Sequence, residues 1–333
     1  MKSNNKVSSI IKDFNNGKTT DAILQLTDLI KNNPKNLDYL FLYAKMCNQT
    51  NRLDDAEKTL LFLISKNKTS IEYLHNIYSV YLKKNNIGKS EIFIKKLLGI
   101  DKNHYEAQRD LGFIEYTKNN INIAQTILEK VVNDKSNDPF ALNVLGLVYL
   151  KNESIDRAKK LFDRAITINP KYIDSYNNLG KTFFDLEDLD KAYILFKKAY
   201  KINKNFSKTL INIGNYLSLK DKNLFAIKAY KKALLYEPKN TEIFSNISIA
   251  YARTKDFDNA KKYYDKAIIN KTLNPSLDLS LFYLYMYKNQ YDKAWDLFES
   301  RKGTPKFLKS KNKSIIGKTV KAEKATILNK KIL

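Results

Sequence analysis

The chain has 333 residues, longer than one compact core usually supports, because cores stop growing at roughly 250–300 residues. Its formal net charge is +24, and it holds one cysteine, two histidines, nine glycines and six prolines. One thiol excludes a disulfide framework and a cysteine-ligated metal site, and so little glycine and proline argues against an ordinary α/β architecture.

The opening stretch, MKSNNKVSSIIKDFNNGK, has no apolar run long enough for a secretory signal. The best later run, Leu279 to Tyr287, falls far short of the ~20 residues a membrane-crossing helix needs. The expectation is a soluble, cytoplasmic chain without a membrane span or a cofactor. His75 and His104 read as surface or groove residues rather than general bases.

From residue 3 onward the sequence repeats. Laying 139–170 beside 173–204 pairs Leu145-Gly146 with Leu179-Gly180, Tyr149 with Phe183, Ala158 with Ala192 and Phe162 with Phe196, always 34 residues apart. Steps of 34 give an unbroken column of small residues: Ala22, Ala56, Ser90, Ala124, Ala158, Ala192, Ala226, Ala260 and Ala294. A second column is large and apolar: Leu26, Leu60, Ile94, Leu128, Phe162, Phe196, Tyr230, Tyr264 and Phe298. Units begin at 3, 37, 71, 105, 139, 173, 207, 241 and 275, and each is predicted to form two antiparallel helices, A and B.

In the first unit Ser9 and Asp13 stand where later units place Leu and an aromatic residue, so its helix A is predicted to be short and polar. Gly112, Gly146, Gly180 and Gly214 form a third column in the middle units. Glycine in a helix costs about 1 kcal/mol relative to alanine, so it implies a close approach, here by helix B's alanine. The aromatic column is expected in the seam to the next unit. Asp54, Asp156, Asp190, Asp258 and Asp292 share one place at the start of helix B, where an acid caps free amides and meets the dipole. All six prolines (Pro34, Pro139, Pro170, Pro238, Pro275 and Pro305) fall between units or beyond them. In the ninth unit Arg301 replaces a small apolar residue, which closes the array.

The pattern of Leu-Gly-x-x-Tyr, then Ala-x-x-x-Phe, then Pro at this period resembles the tetratricopeptide repeat. A single hairpin cannot cover its own apolar face, so units stack. The reading is an all-α, right-handed α-solenoid of nine hairpins over residues 3–308, followed by a basic tail at 309–333. The resemblance implies a concave wall lined by A helices that binds an extended peptide or protein segment. The residue before the Leu-Gly pair faces that wall, in the column Ser8, Leu42, Asn76, Asp110, Val144, Asn178, Asn212, Asn246 and Ser280. An asparagine amide both donates and accepts, so it suits a peptide backbone of any sequence. The arrangement resembles the asparagine ladder of protein O-linked N-acetylglucosamine transferases. Asn143, Asn177, Lys181 and Asn215 are neighbouring candidates. The lysine–asparagine clamp that other tetratricopeptide proteins use for acidic C-termini is absent, with Ile211, Ser276 and Ser280 in its places.

Residues 301–333 hold 11 Lys or Arg against one Glu. WDLFESR followed by IIGKTV (Ile315 to Val320) resembles the junction of bacterial tetratricopeptide glycosyltransferases, but the catalytic loop that follows in that family does not follow here. Three functions stay open: a non-catalytic scaffold, the recognition arm of a truncated or split glycosyltransferase, and a binder of nucleic acid or acidic partners through the tail. Nucleic acid is the least expected partner, for the chain lacks interleaved aromatic and basic residues.

Overall fold

The computed structural model describes residues 2–134, 137–268, 278, 281–282, 284–286 and 288–299. Arg301, the 309–333 tail and the glycosyltransferase-like junction beyond residue 299 lie outside them. Helices follow one another in pairs: α1 (Lys2–Asn15) and α2 (Thr19–Asn32), α3 (Leu37–Gln49) and α4 (Leu53–Lys66), α5 (Ile71–Lys83) and α6 (Ile87–Ile100). Next come α7 (Tyr105–Thr117) and α8 (Ile121–Asp134), α9 (Pro139–Lys151) and α10 (Ile155–Ile168), α11 (Ile173–Asp185) and α12 (Leu189–Ile202). Then follow α13 (Ser207–Leu219) and α14 (Asn223–Leu234), and α15 (Thr241–Arg253) and α16 (Phe257–Ala267). Residues 278, 281–282 and 284–286 are helical, and α17 (Tyr291–Glu299) is the ninth B helix. From α3 onward the described A helices start 34 residues apart, and so do all the B helices. The first A helix is not short. It runs 14 residues.

The chain divides into two compact units, 1–175 and 176–333. Within each, every core is shared between neighbouring hairpins. In the first, Ala124, Leu128 and Val131 of α8 pack with Ala141, Leu145 and Val148 of α9. In the second, Ala226, Tyr230 and Ala233 of α14 pack with Ile243, Ile247 and Ala250 of α15.

The constant period comes from the turn inside each hairpin. In the second, Asn51 takes a φ of 62°, and the Arg52 N–H reaches back to the Cys47 carbonyl at 2.8 Å. This left-handed cap satisfies carbonyls that the helix end leaves open. The same place is left-handed at Asn85, Asn119, Glu153, Glu187, Asp221, Lys255 and Asn289, and Gly17 fills it in the first hairpin. Where the residue is a glutamate, the cap bond holds it: Ser154 N–H to Tyr149 O is 2.8 Å, and Asp188 N–H to Phe183 O is 2.9 Å.

The aspartates expected to cap helix B do not. Asp54, Asp156, Asp190 and Asp258 occupy the second helical residue, and the caps are Arg52, Ser154, Asp188 and Asp256. Asp188 and Asp256 accept backbone N–H bonds at 3.2 Å, whereas Arg52 and Ser154 make no side-chain cap bond. The inner aspartates act on the helix dipole instead.

The glycine column also works differently from the expectation. A Cβ at Gly146 would stand 2.5 Å from Cε1 of Phe162, and one at Gly180 would stand 2.6 Å from Cε1 of Phe196. Gly112 faces Leu128, and Gly214 faces the ring of Tyr230. The ring therefore enters a notch in its own hairpin rather than the seam to the next one. In the third hairpin, where Tyr78 holds the glycine place, helix B's small column approaches the backbone of helix A: Ser90 Oγ donates to the Tyr78 carbonyl at 3.0 Å. Phe162 is wholly buried, which is worth up to about 3 kcal/mol.

Opposite signs are expected for two glycine replacements, read by urea denaturation. Gly146→Ala should destabilise by about 1–3 kcal/mol through overpacking, despite alanine's better helix propensity. Gly99→Ala, with nothing within 4 Å of the added atom, should stabilise by up to about 1 kcal/mol. Equal effects would remove the notch from the account of the fold.

Candidate functional site

The A helices carry the polar residues that the sequence singles out, and their burial separates them into two kinds. Asn177 has 0% exposure. Its amide donates to Thr209 Oγ1 at 2.8 Å and accepts from Asn212 Nδ2 at 3.1 Å, so it ties α11 to α13. Asn143 is buried on α9 and accepts from Ser175 Oγ at 3.1 Å. Asn178, also buried, accepts from Lys208 Nζ at 2.7 Å. Asn143, Asn177, Asn178 and Asn212 were expected to face a ligand; the structure sets them in the seams between hairpins. Each of them is paired there, because a buried polar group without a partner is costly.

The other candidates lie nearer to solvent. Half-buried Asn76 donates to its own helix, to the Glu72 carbonyl, at 2.9 Å. Lys181 is exposed and pairs with Asp185 one turn on. Asn215 and Asn246 meet across α13 and α15: Asn246 Nδ2 donates to Asn215 Oδ1 at 3.2 Å, and the Tyr230 hydroxyl donates to the same oxygen at 2.7 Å. Burial pushes the Tyr230 hydroxyl pKa well above the usual range, so it remains a donor.

Asn215 and Asn246 line an open pocket of about 410 Å³ with Phe184, Ser218, Leu219, Tyr230, Ile249 and Arg253. Arg253, exposed at the end of α15, donates through Nη1 to the Ser218 carbonyl at 2.9 Å and to Ser218 Oγ at 3.0 Å. Lys83 makes the matching bond in the first unit, to the Asn48 carbonyl at 2.6 Å. Sequence reading missed Arg253 because basic residues do not form a column there. The only signal was its place, 34-residue steps after Lys83.

Asp110 belongs to a charged cluster in the first unit. Arg109 sends Nε and Nη2 to Asp110 Oδ1, both at 2.8 Å, and Nη1 to Asp138 Oδ2 at 3.2 Å. Burial raises the Asp110 carboxyl above the ordinary carboxylate range, against the pull of Arg109. Burial acts the same way on Asp138, but backbone N–H bonds from Ala141 and Phe140 together with Arg109 leave its carboxyl below that range. His75 lies beside His104 with ring centroids 5.4 Å apart, and its Nδ1 is 3.3 Å from the Tyr78 hydroxyl. Burial first, and His104 second, lower the pKa of His75. Asp110 is thus committed to an internal network rather than open to a peptide. Among the described residues there is no cluster of three or more His, Cys, Asp or Glu side chains able to hold a metal, and no helix is long and apolar enough to cross a membrane.

Comparisons with known proteins agree with the repeat. Residues 117–199 match the family model described as anaphase-promoting complex, cyclosome, subunit 3, and residues 13–61 and 241–268 match models described as tetratricopeptide repeat. A chain of the APC/C hetero-tetramer Cut9–Hcn1 has a similar fold, with a TM-score of 0.65 at 16% identity; the match covers 80% of this chain and 52% of that one. This chain thus spans about half the length of that structural neighbour. A tetratricopeptide repeat protein from Parabacteroides merdae superposes with a TM-score of 0.63 at 16% identity, over 74% of this chain and 98% of its own. PilF from Pseudomonas aeruginosa gives 0.53 at 18% identity, over 60% of this chain and 90% of its own. No curated protein sequence matches the chain. The family models and the neighbours support a tetratricopeptide-repeat protein, all-helical and built of consecutive hairpins.

Replacing Asn177 by Ala should destabilise by about 1–3 kcal/mol, because Thr209 and Asn212 lose a buried partner. Asn76→Ala should stay within about 0.5 kcal/mol. Matching losses in denaturation midpoint would erase the division between seam and surface asparagines. His75 supplies a second test. Its folded pKa is lowered from 6.5, so the stability it confers when neutral is present above pH 6.5 and is lost as pH falls through the folded value. Asp110, with a raised pKa, acts in the opposite direction and remains in both proteins. His75→Gln should flatten the fall in stability on acidification; an unchanged pH profile would clear His75 of any part in it.

Proposed function

We propose that the chain is a non-catalytic scaffold that holds an extended segment of a protein at the pocket of Asn215, Asn246 and Arg253. The observation behind this reading is spare hydrogen-bonding capacity at a half-open site. Asn215 Oδ1 is occupied twice, so its NH₂ group is left to donate outward. Asn246 uses its NH₂ group on Asn215, which leaves its carbonyl oxygen to accept. Arg253 engages one terminal nitrogen on Ser218 and retains further N–H groups. Among the described residues those groups have no other partner.

A donor, an acceptor and a guanidinium beside Phe184, Leu219 and Ile249 match an extended peptide. Its N–H and C=O groups pair with the amides, one side chain rests on the apolar surface, and a carbonyl or carboxylate meets Arg253. The neighbouring seam amides keep α11, α13 and α15 in register, so the site is set before the ligand arrives. The role is recognition, with specificity set by the side chain that reaches the apolar surface.

A random peptide library panned against the full chain tests this. Selected peptides should lose at least about tenfold in affinity on Asn246→Ala with Arg253→Ala, the loss expected for two polar contacts. Thermal melting should remain nearly unchanged, since both residues are at least partly solvent-exposed. Peptides that bind the variant as tightly as the original chain would place the site elsewhere.

A further inference from the structure

The outer surface of α14 is unlike that of the other B helices. Its sequence, NLFAIKAYKKAL, contains three lysines and no acid. Leu224 is 66% exposed, Phe225 60%, and Leu235, which caps the end of the helix, 75%; Tyr236 beside it is also exposed. Counting each helix with the two residues after it, no other described B helix exposes more than two large apolar side chains, where this one exposes four. Leu224, Lys228, Lys231 and Leu235 follow steps of four, three and four, so they lie along one face. Basic charge sits in the middle and apolar groups at both ends. The buried face of the same helix is Ala226, Ile227, Tyr230 and Ala233, which is already used in the core.

Lysines continue on the flanking outer helices. Lys198 of α12, Lys232 of α14 and Lys266 of α16 hold one place, 34 residues apart. None of them forms an ion pair among the described residues. Lys232 lies over the Tyr200 ring at 5.4 Å and Lys266 over the Phe244 ring at 5.6 Å. Aromatic rings thus support their apolar stems, while the charges remain unmatched by any carboxylate.

We propose that this face docks on an anionic lipid membrane. The charge is spread over three successive helices, and Lys198, Lys232 and Lys266 have no ion-pair partner among the described residues. Mobile anionic headgroups suit such a surface, because they rearrange under it and need no matching relief. The exposed Leu224, Phe225, Leu235 and Tyr236 supply what charge alone does not, namely groups that enter the headgroup–acyl boundary beside snorkelling lysines. This surface is separate from the peptide pocket, and either can stand without the other.

Co-sedimentation of the full chain with phosphatidylcholine vesicles, with and without phosphatidylserine, tests the proposal. Binding is expected only to the anionic vesicles. Lys228→Glu, Lys231→Glu and Lys232→Glu together should weaken it at least about tenfold. Leu224→Ser with Phe225→Ser should weaken what binding persists in salt that screens the lysines. A polarity-sensitive dye on Phe225→Cys should shift to the blue on vesicles; Cys47 is fully buried and escapes labelling. Thermal melts of each variant exclude unfolding as the cause of lost binding. Equal binding to neutral vesicles, or binding indifferent to the charge reversal, overturns the proposal. So does an unshifted dye together with equal competition by polyglutamate or duplex DNA, which would make the face a site for acidic protein or nucleic acid.

Discussion

A missing side chain on one helix and a large one on its partner hold each central hairpin together. Phe162 fills the space that Gly146 leaves empty, and the pairs at Gly180 and Gly214 do the same with Phe196 and Tyr230. The fit sets how closely helix A and helix B approach, and so where the next hairpin can rest. With contacts confined to neighbours, the chain can exceed the size of a single core without forming one. The left-handed cap adds the second constraint. Lengthening the turn at Glu153 or Glu187 would break the bond back to Tyr149 or Phe183, and the following helix would leave its notch.

Much of this was legible in the sequence because steric requirements act at a fixed spacing. Small, large and glycine columns all recur at 34 residues, and the helix starts fall where those columns place them. The partner of each glycine was misassigned, because a column gives spacing along the chain but not which of two facing side chains points into the gap. The capping role of Asp54 and Asp156 was misread for a similar reason. An acid one residue inside a helix and an acid at its cap look alike until backbone angles distinguish them.

The candidate site was only partly legible. Asparagines at equivalent places do different work according to the residue opposite. Asn177 meets Thr209 and Asn212 and is consumed by the seam, whereas Asn246 meets Asn215 and retains an acceptor. A sequence column cannot show that distinction, since it depends on pairs in adjacent hairpins. Arg253 was invisible for a different reason: it is a single residue whose importance comes from Ser218 and the surrounding pocket, not from recurrence.

The two units solve the same packing problem with different polar chemistry. In the first, Arg109 joins Asp110 and Asp138, and two histidines lie near them. In the second, Asn177 links α11 to α13 through Thr209 and Asn212, and Lys208 donates to Asn178 across the same seam. A buried ionic cluster changes its energy when a proton arrives, because burial disfavours the charged form of His75 and Asp110 in opposite pH directions. An amide ladder has no proton to gain or lose over the same range. The geometry of the second arrangement is therefore less sensitive to pH than that of the first. That is where the pocket with spare hydrogen-bonding groups occurs.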